Sequence, residues 1–262
     1  MKVSIITVAF NSARTIEKTI QSVLSQSYPE IEYIVIDGGS TDGTLEIIQR
    51  YEDCIAVWIS EPDTGMYDAM NKGIAKASGE VIGILNSDDV YMSDRSVSKL
   101  MGLMQKEQVD VVFADLILVD PIKTDKPVRY YDSSYFKPSR FRWGWMPAHP
   151  TVFVKKTLYA LVGPFATDYQ IAADYEMLIR ILFTQKASYA YLPKPIVRMR
   201  VGGASTANWQ RNWVLNQEIV KACKDNGIYT NLAMLLLKIP AKLWGARFTR
   251  KSRLAALNHH PD

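Results

Sequence analysis

Across residues 1–94, four short apolar runs alternate with segments of helical periodicity, and this alternation constrains the fold more than any other feature of the chain. Val3-Ser4-Ile5-Ile6-Thr7-Val8, residues 31–36, residues 55–60 and Val81-Ile82-Gly83-Ile84-Leu85 each have the length of a buried strand. Between the first two, residues 13–26 place Ile16, Ile20, Val23 and Leu24 at helical spacing, with Ser12 as the expected N-cap. Tyr28-Pro29 breaks that helix. Residues 44–51 and 66–77 read as further helices, the last stopped by Ser78-Gly79. Strands separated by helices form parallel βαβ units, so an α/β sheet flanked by helices is expected.

The strand ends carry the chemistry. In open α/β sheets, ligands bind beyond the carboxyl edge of the strands. Asn86-Ser87-Asp88-Asp89 follows the fourth run directly and lies at that edge. Two adjacent carboxylates repel each other, and a divalent cation is the usual reason for placing them together. A hard cation at such an edge most often carries substrate phosphates. The second run ends in Asp37-Gly38-Gly39-Ser40-Thr41-Asp42-Gly43-Thr44, whose three glycines let the backbone turn tightly and approach a ligand.

These pieces, in this order, resemble the family 2 glycosyltransferases. The resemblance rests on Ala9-Phe10-Asn11, the 37–44 loop, Glu61-Pro62-Asp63-Thr64-Gly65-Met66-Tyr67-Asp68-Ala69-Met70-Asn71-Lys72-Gly73 and Asn86-Ser87-Asp88-Asp89. It resumes at His149-Pro150-Thr151 and Ala173-Asp174-Tyr175-Glu176, and reaches to about residue 205. The branch it is most similar to builds bacterial surface polysaccharides such as O-antigen and capsule. The resemblance implies an α/β fold of the GT-A, Rossmann-like kind, with a mostly parallel central sheet and a C-terminal helical extension. The implied division is a glycosyltransferase domain over residues 1–205, with a nucleotide-sugar half (1–94) and an acceptor half (95–205). The extension is residues 206–262.

The implied activity is inverting transfer of a sugar from a nucleotide diphosphate donor, UDP by family weight, to a saccharide or undecaprenyl-diphosphate-linked acceptor. Asp88 and Asp89 would hold Mn2+ or Mg2+ against the diphosphate. In the family's D-x-D pattern Asn86 replaces the first Asp and Asp88 matches the last. Asp37 would contact the base or ribose, with Thr7, Ala9 and Asn11 as the other wall. Asn86 and Ser87 join the nucleotide site. Lys72, four residues beyond Asp68 on one helix face, would meet the base or diphosphate, or form a solvated ion pair with Asp68. Arg200, at a basic strand end before Gly202-Gly203, would reach the donor phosphates.

The second half must supply the acceptor site. Residues 121–150 read as an irregular stretch and hold Tyr130, Tyr131, Tyr135, Phe136, Phe141, Trp143 and Trp145, either as stacking surfaces for sugars or as a satellite core under a loop. Trp145 and His149 are the acceptor-binding candidates; a lone His is otherwise structural. Asp174 opens a helix and matches the family's general base, where plain N-capping is the alternative.

At 262 residues with 48% hydrophobic content, the chain can bury a sizeable core. Cys54 and Cys223 are isolated and read as reduced thiols. No signal peptide or membrane span is expected, which points to a cytoplasmic protein with no nucleic-acid partner. Residues 226–261 contain no acid but carry Lys238, Lys242, Arg247, Arg250, Lys251 and Arg253 among Leu235, Ile239, Trp244 and Phe248. This pattern fits a basic amphipathic segment on an anionic membrane at the inner face, or a helix packed on the core. Two other classes compete with this reading. A nucleotidyltransferase needs a glycine-rich, basic signature after strand one, where Ala9-Phe10-Asn11-Ser12-Ala13-Arg14 has no glycine. A catalytically silent sugar-nucleotide-binding subunit would lack Asp88 or Asp174, and both are present.

Overall fold

A computed structural model describes residues 1–202 and 209–236. The expected run of strands and helices is present. It comprises β1 (Val3–Ala9), α1 (Ile16–Leu24), β2 (Ile31–Asp37), α2 (Thr44–Gln49), β3 (Val57–Ser60), α3 (Met66–Lys76) and β4 (Val81–Ile84). β3, β2, β1 and β4 are neighbours in that order and all parallel. The second half continues through β5 (Val90–Tyr91), α4 (Ser96–Glu107), β6 (Val111–Val119), β7 (Pro127–Tyr131), β8 (Phe153–Lys155), α5 (Lys156–Val162) and α6 (Ala173–Ile179). It ends with β9 (Tyr189–Arg200), α7 (Trp209–Asp225) and α8 (Leu232–Leu236). β8 joins the sheet antiparallel to β4 and to β6, β9 runs parallel to β6, and β5 and β7 pair antiparallel at the margins.

Side-chain parity along the strands sorts the core into two layers. Ile6, Val8, Ile34, Ile36 and Ile82 face one side, where they meet α3, α6 and α7. Val3, Ile5, Tyr33, Val35 and Val81 face the other, against α1 and α4. Burial on both faces is why these strands read as continuous apolar runs. Gly73 permits the contact of α3 with β1: a Cβ there would lie 2.4 Å from Cγ2 of Ile6.

Three local expectations are revised. Ser12 does not cap α1 with its side chain; its carbonyl accepts the Thr15 and Ile16 N–H groups, and its hydroxyl turns to Ser87 Oγ at 2.8 Å. The stretch 121–150 is not wholly irregular, because β7 adds an edge strand to β6. Pro127 stands first in it, where a missing N–H does no harm. Its aromatics divide: Phe136 and Phe141 are buried and pack edge-on with Phe113 and Tyr175, as a core does, whereas Tyr135 and Trp143 are exposed.

α7 buries Ile219, Ala222 and Cys223 in the cluster that holds Tyr175 and Leu178 of α6. Of the acid-free stretch 226–261, residues 237–261 lie outside the described residues, as does Gly203 beyond Arg200; within the described part, Leu235 of α8 is buried in the core. No described helix is long and apolar enough to cross a membrane.

Candidate active site

The carboxyl ends of β1, β2 and β4 open into a cleft of about 1010 Å³, which His149, Pro150 and the start of α6 also line. Ala9, Asn11, Asn86, Ser87, Asp88, His149 and Asp174 all line it, so residues far apart in sequence converge as expected.

The loops on the nucleotide side are fastened to one another. Asn11 sits at φ 48°, a left-handed position that Asn tolerates. Its N–H donates to Ser40 Oγ (2.8 Å) and its side-chain oxygen accepts the Thr41 N–H (3.0 Å). Asp42 accepts the Ala13 N–H at 3.1 Å, and Thr44 Oγ1 accepts the Ser12 N–H at 2.7 Å.

Several residues singled out by sequence serve this fastening and do not line the cleft. Asp37 is fully buried and accepts the Gly39 and Ser40 N–H groups (3.2 and 2.9 Å) and the Ser40 and Ser60 hydroxyls. Thr7 is also buried. Its parity points it at the α1 layer, where Tyr33 donates to it at 3.1 Å. Lys72 ties down the 61–65 loop through the Pro62 carbonyl (3.1 Å) and Glu61 (2.9 Å), with Asp68 at 3.8 Å. The hydrogen bond to Glu61 holds its ammonium above the usual range. Asp68 accepts the Thr64 N–H at 3.1 Å. Arg200 donates to the Asp88 carbonyl (3.1 Å) and the Pro121 carbonyl (2.9 Å), bracing the acidic turn from behind. Trp145 is half-buried outside the cleft lining.

The two adjacent acids part company. Asp88 faces the cleft; Asp89 is buried beneath it and takes a 3.3 Å bond from the Asn86 amide. Burial raises the proton affinity of both, and for Asp89 the Asp88 charge adds to the effect. Among the described residues, Asn86 Oδ1 and Asp89 Oδ1 are buried with no hydrogen-bond donor. Oxygens left in that state beside a cleft-facing carboxylate match the hard, anionic donor set that a divalent cation takes. No described trio of acids, histidines or cysteines forms a preassembled centre. The acidic turn thus offers one cleft-facing carboxylate, Asp88, which fits Mg2+- or Mn2+-type binding shared with substrate phosphates.

Also in the cleft lining, Asp174 is the second residue of α6, and its Oδ1 accepts the Tyr175 N–H at 2.7 Å. Burial lifts its carboxyl above the ordinary carboxylate range, with His149 opposing. Burial likewise lowers His149, keeping the imidazole neutral at physiological pH.

The structure adds residues the sequence reading passed over. Phe10 is 62% exposed, an aromatic ring left in solvent at the mouth of the cleft. Its signal was an aromatic just past a buried strand at the ligand edge. Arg14 and Arg211 bring cationic side chains to the lining. Asp63 also lines the cleft, filling the space that a side chain at position 38 would need: a Cβ on Gly38 would lie 2.3 Å from Asp63 Oδ2. Glu218 of α7 binds the loop ahead of α6, a contact no local pattern announces.

A parallel strand edge carrying an acidic turn, with the half-buried Asp174 carboxylate in the same cleft, is the architecture of the GT-A fold. The family model for Glycosyl transferase family 2 matches residues 4–156, and the chain belongs to that family. It is 35% identical over 185 residues to an uncharacterized glycosyltransferase of Mycobacterium tuberculosis, covering 68% of each chain. It is 24% identical over 246 residues to a PGL/p-HBAD biosynthesis glycosyltransferase of Mycobacterium bovis, covering 92% of this chain and 90% of that one. Among solved structures, S. aureus TarS 1–349 in complex with UDP-GlcNAc superposes with a TM-score of 0.67 at 18% identity, over 98% of this chain and 75% of that one. The match spans 39% of the longer TarS chain. A mannosyltransferase from Pyrobaculum calidifontis in complex with GDP-Man and Mn2+ gives a TM-score of 0.64 at 20% identity, over 98% of this chain and 78% of that one.

Proposed function

We propose that this glycosyltransferase is an inverting enzyme that moves a sugar from a UDP-linked donor to a saccharide or lipid-linked saccharide acceptor in bacterial surface-polysaccharide assembly. The observation that carries this reading is that Asp88 and Asp174, 86 residues apart in sequence, line one cleft. The base and ribose lie along Phe10, Asn11, Gly38 and Asp63, with the Phe10 ring as a stacking face. The diphosphate lies toward Asp88, with Arg14 and Arg211 as cationic neighbours in the lining. Asp88 would hold Mg2+ or Mn2+ there, and the cation supplies charge neutralisation for the departing diphosphate.

Asp174 is the general base. In one displacement the acceptor oxygen bonds to the anomeric carbon as the carbon–phosphate oxygen bond breaks, and the hydroxyl proton passes to the Asp174 carboxylate. A carboxyl lifted by burial is a better proton acceptor than an exposed one. Attack from the face opposite the leaving group inverts the anomeric configuration. His149 is a neutral neighbour that orients the acceptor.

The donor sugar is expected to resemble that of TarS, whose solved complex holds UDP-GlcNAc. A surface glycan as acceptor follows the PGL/p-HBAD relative. Action at the inner face of the cytoplasmic membrane, through the basic 237–261 stretch, completes the proposal. The test is a panel of UDP-, dTDP- and GDP-sugars with Mn2+, read by thermal shift and then by turnover with saccharide acceptors. A β-glycoside from an α-linked donor, read by the NMR coupling of the anomeric proton, is expected. An α-glycoside would overturn the inverting scheme.

A further inference from the structure

We propose, on the reading of Asp174 as the general base, that Glu218 of α7 is a positioning residue that fixes where the Asp174 carboxylate sits in the cleft. α6 has no side-chain cap at its N-terminus. The backbone that leads into it is Gln170, Ile171 and Ala172, and Asp174 follows two residues later. The N–H groups of all three converge on one carboxylate. Gln170 donates to Glu218 Oε1 at 2.7 Å, and Ile171 and Ala172 each donate to Glu218 Oε2 at 2.9 Å. Successive N–H groups turned toward one anion form a nest, and a carboxylate held this way fixes the turn.

The same segment is gripped from the other side. Tyr67 of α3 donates its hydroxyl to the Ile171 carbonyl and stacks on Phe165 at 5.9 Å. Three residues beyond Glu218, Lys221 pairs with Asp168 at 3.1 Å. α7 therefore holds the approach to Asp174 at two points, and seven residues before Glu218 its Arg211 lines the cleft. Without the Glu218 carboxylate, three adjacent N–H groups lose their acceptor and the turn has to rearrange.

Glu218 also acts by its charge. The groups that face Asp174 are His149, which lowers its proton affinity, and Glu218, which raises it; Tyr67 of α3 and Tyr131 of β7 stand near enough to feel the Asp174 charge. Loss of the Glu218 charge therefore makes Asp174 easier to deprotonate. A helix brace without an electrostatic or positional effect on the base would leave the pH profile where it was.

The test compares Glu218→Ala, Glu218→Gln, Tyr67→Phe and Asp174→Asn in the full chain. For Glu218→Ala, kcat should fall by about 10- to 100-fold, the cost of a misplaced catalytic group, while the donor KM stays within about twofold. Glu218→Gln keeps an acceptor oxygen and should lose less. In both, the acid limb of log kcat against pH should move to lower pH. In Glu218→Gln and in Tyr67→Phe, amide exchange at 170–172 should quicken ahead of the rest of α6. Should Glu218→Ala not fold, the Glu218→Gln pH profile and exchange pattern decide the matter. A normal kcat with an unmoved acid limb in Glu218→Gln would overturn the role of Glu218. If Asp174→Asn is inactive at the same time, the base reading stands without it. Near-normal turnover in Asp174→Asn would instead remove the base reading itself.

Discussion

The two walls of the cleft are built by different means. The nucleotide wall comes from strand ends that are neighbours in the sheet, fastened by bonds among residues 9–13, 37–44 and 60–68. The facing wall sets a short helix start, at Asp174, between Tyr67, 104 residues from its partner Ile171, and Glu218. On the first wall, conspicuous polar residues are consumed in making the loops: Asp37, Asp68 and Lys72 all have internal partners. The loops leave other residues, among them Phe10, Asp63 and Asp88, to line the cleft. On the second wall the Asp174 carboxylate is half-buried and its supports are remote. A strand edge can carry a cleft on local sequence alone, whereas a lone carboxylate at a helix start depends on long-range packing.

The contrast can be broken most sharply at Asp174. Asp174→Asn keeps the size of the side chain but cannot take the proton. Turnover should fall by about 10²–10⁴-fold while donor binding, measured by calorimetry, is unchanged. Equal losses of turnover and donor affinity would mean that the two walls are not separate.

Asp88→Asn should do the reverse. Donor affinity in Mn2+ should drop by about 100-fold, at least the cost of disturbing a metal's supporting residues, and EDTA should have little further effect on the variant. In the wild type, chelation should stop turnover and added Mn2+ or Mg2+ should restore it; full turnover in chelator would exclude the metal.

Phe10→Ala tests whether the uncovered residues of the nucleotide wall do the binding. Loss of a base-stacking face should weaken the nucleotide by about tenfold, within the ~1–3 kcal/mol of aromatic–base stacking. An unchanged UDP dissociation constant would move the base elsewhere in the cleft.

The smallest effect is structural. Glu32, on β2, accepts from Lys2 (2.8 Å), Ser4 and Ser78 at the amino edge of the sheet, away from the cleft. Burial alone would raise its carboxyl, but these bonds together outweigh it and lower it to about 2 from 4.5. A depressed carboxyl stabilises the fold above its unfolded value and loses that contribution as pH falls from about 4.5 to about 2. Glu32→Gln should cost about 2 kcal/mol at pH 7, measured by urea unfolding, and the cost should vanish near pH 2. A cost that persists there would mean that charge is not its source.

Much of the nucleotide wall was legible because strand and helix periods are local, and the carboxyl edge of a parallel sheet is a known place for a ligand. The run from Val3 to the Asp88–Asp89 pair gave β1 to β4, the parallel block and the cleft edge. Less legible was which side chain at that edge points outward. Thr7 and Asp37 sit one residue or one turn from the cleft but turn inward, because strand parity and the hydrogen-bond needs of the 38–40 turn decide their direction. Asp89 is adjacent to Asp88 yet lies below the floor.

By itself, then, the sequence determined the order of elements, the parallel core and the presence of an acidic turn and a helix-opening Asp174, because each is written in periodicity and adjacency. Only the tertiary structure decided that β8 and β9 complete the sheet, that Asp174 and Asp88 line one cleft, and that Glu218 holds the turn ahead of Asp174. Those relations arise from burial and from backbone groups seeking partners far along the chain, and such long-range pairing leaves no local pattern to read.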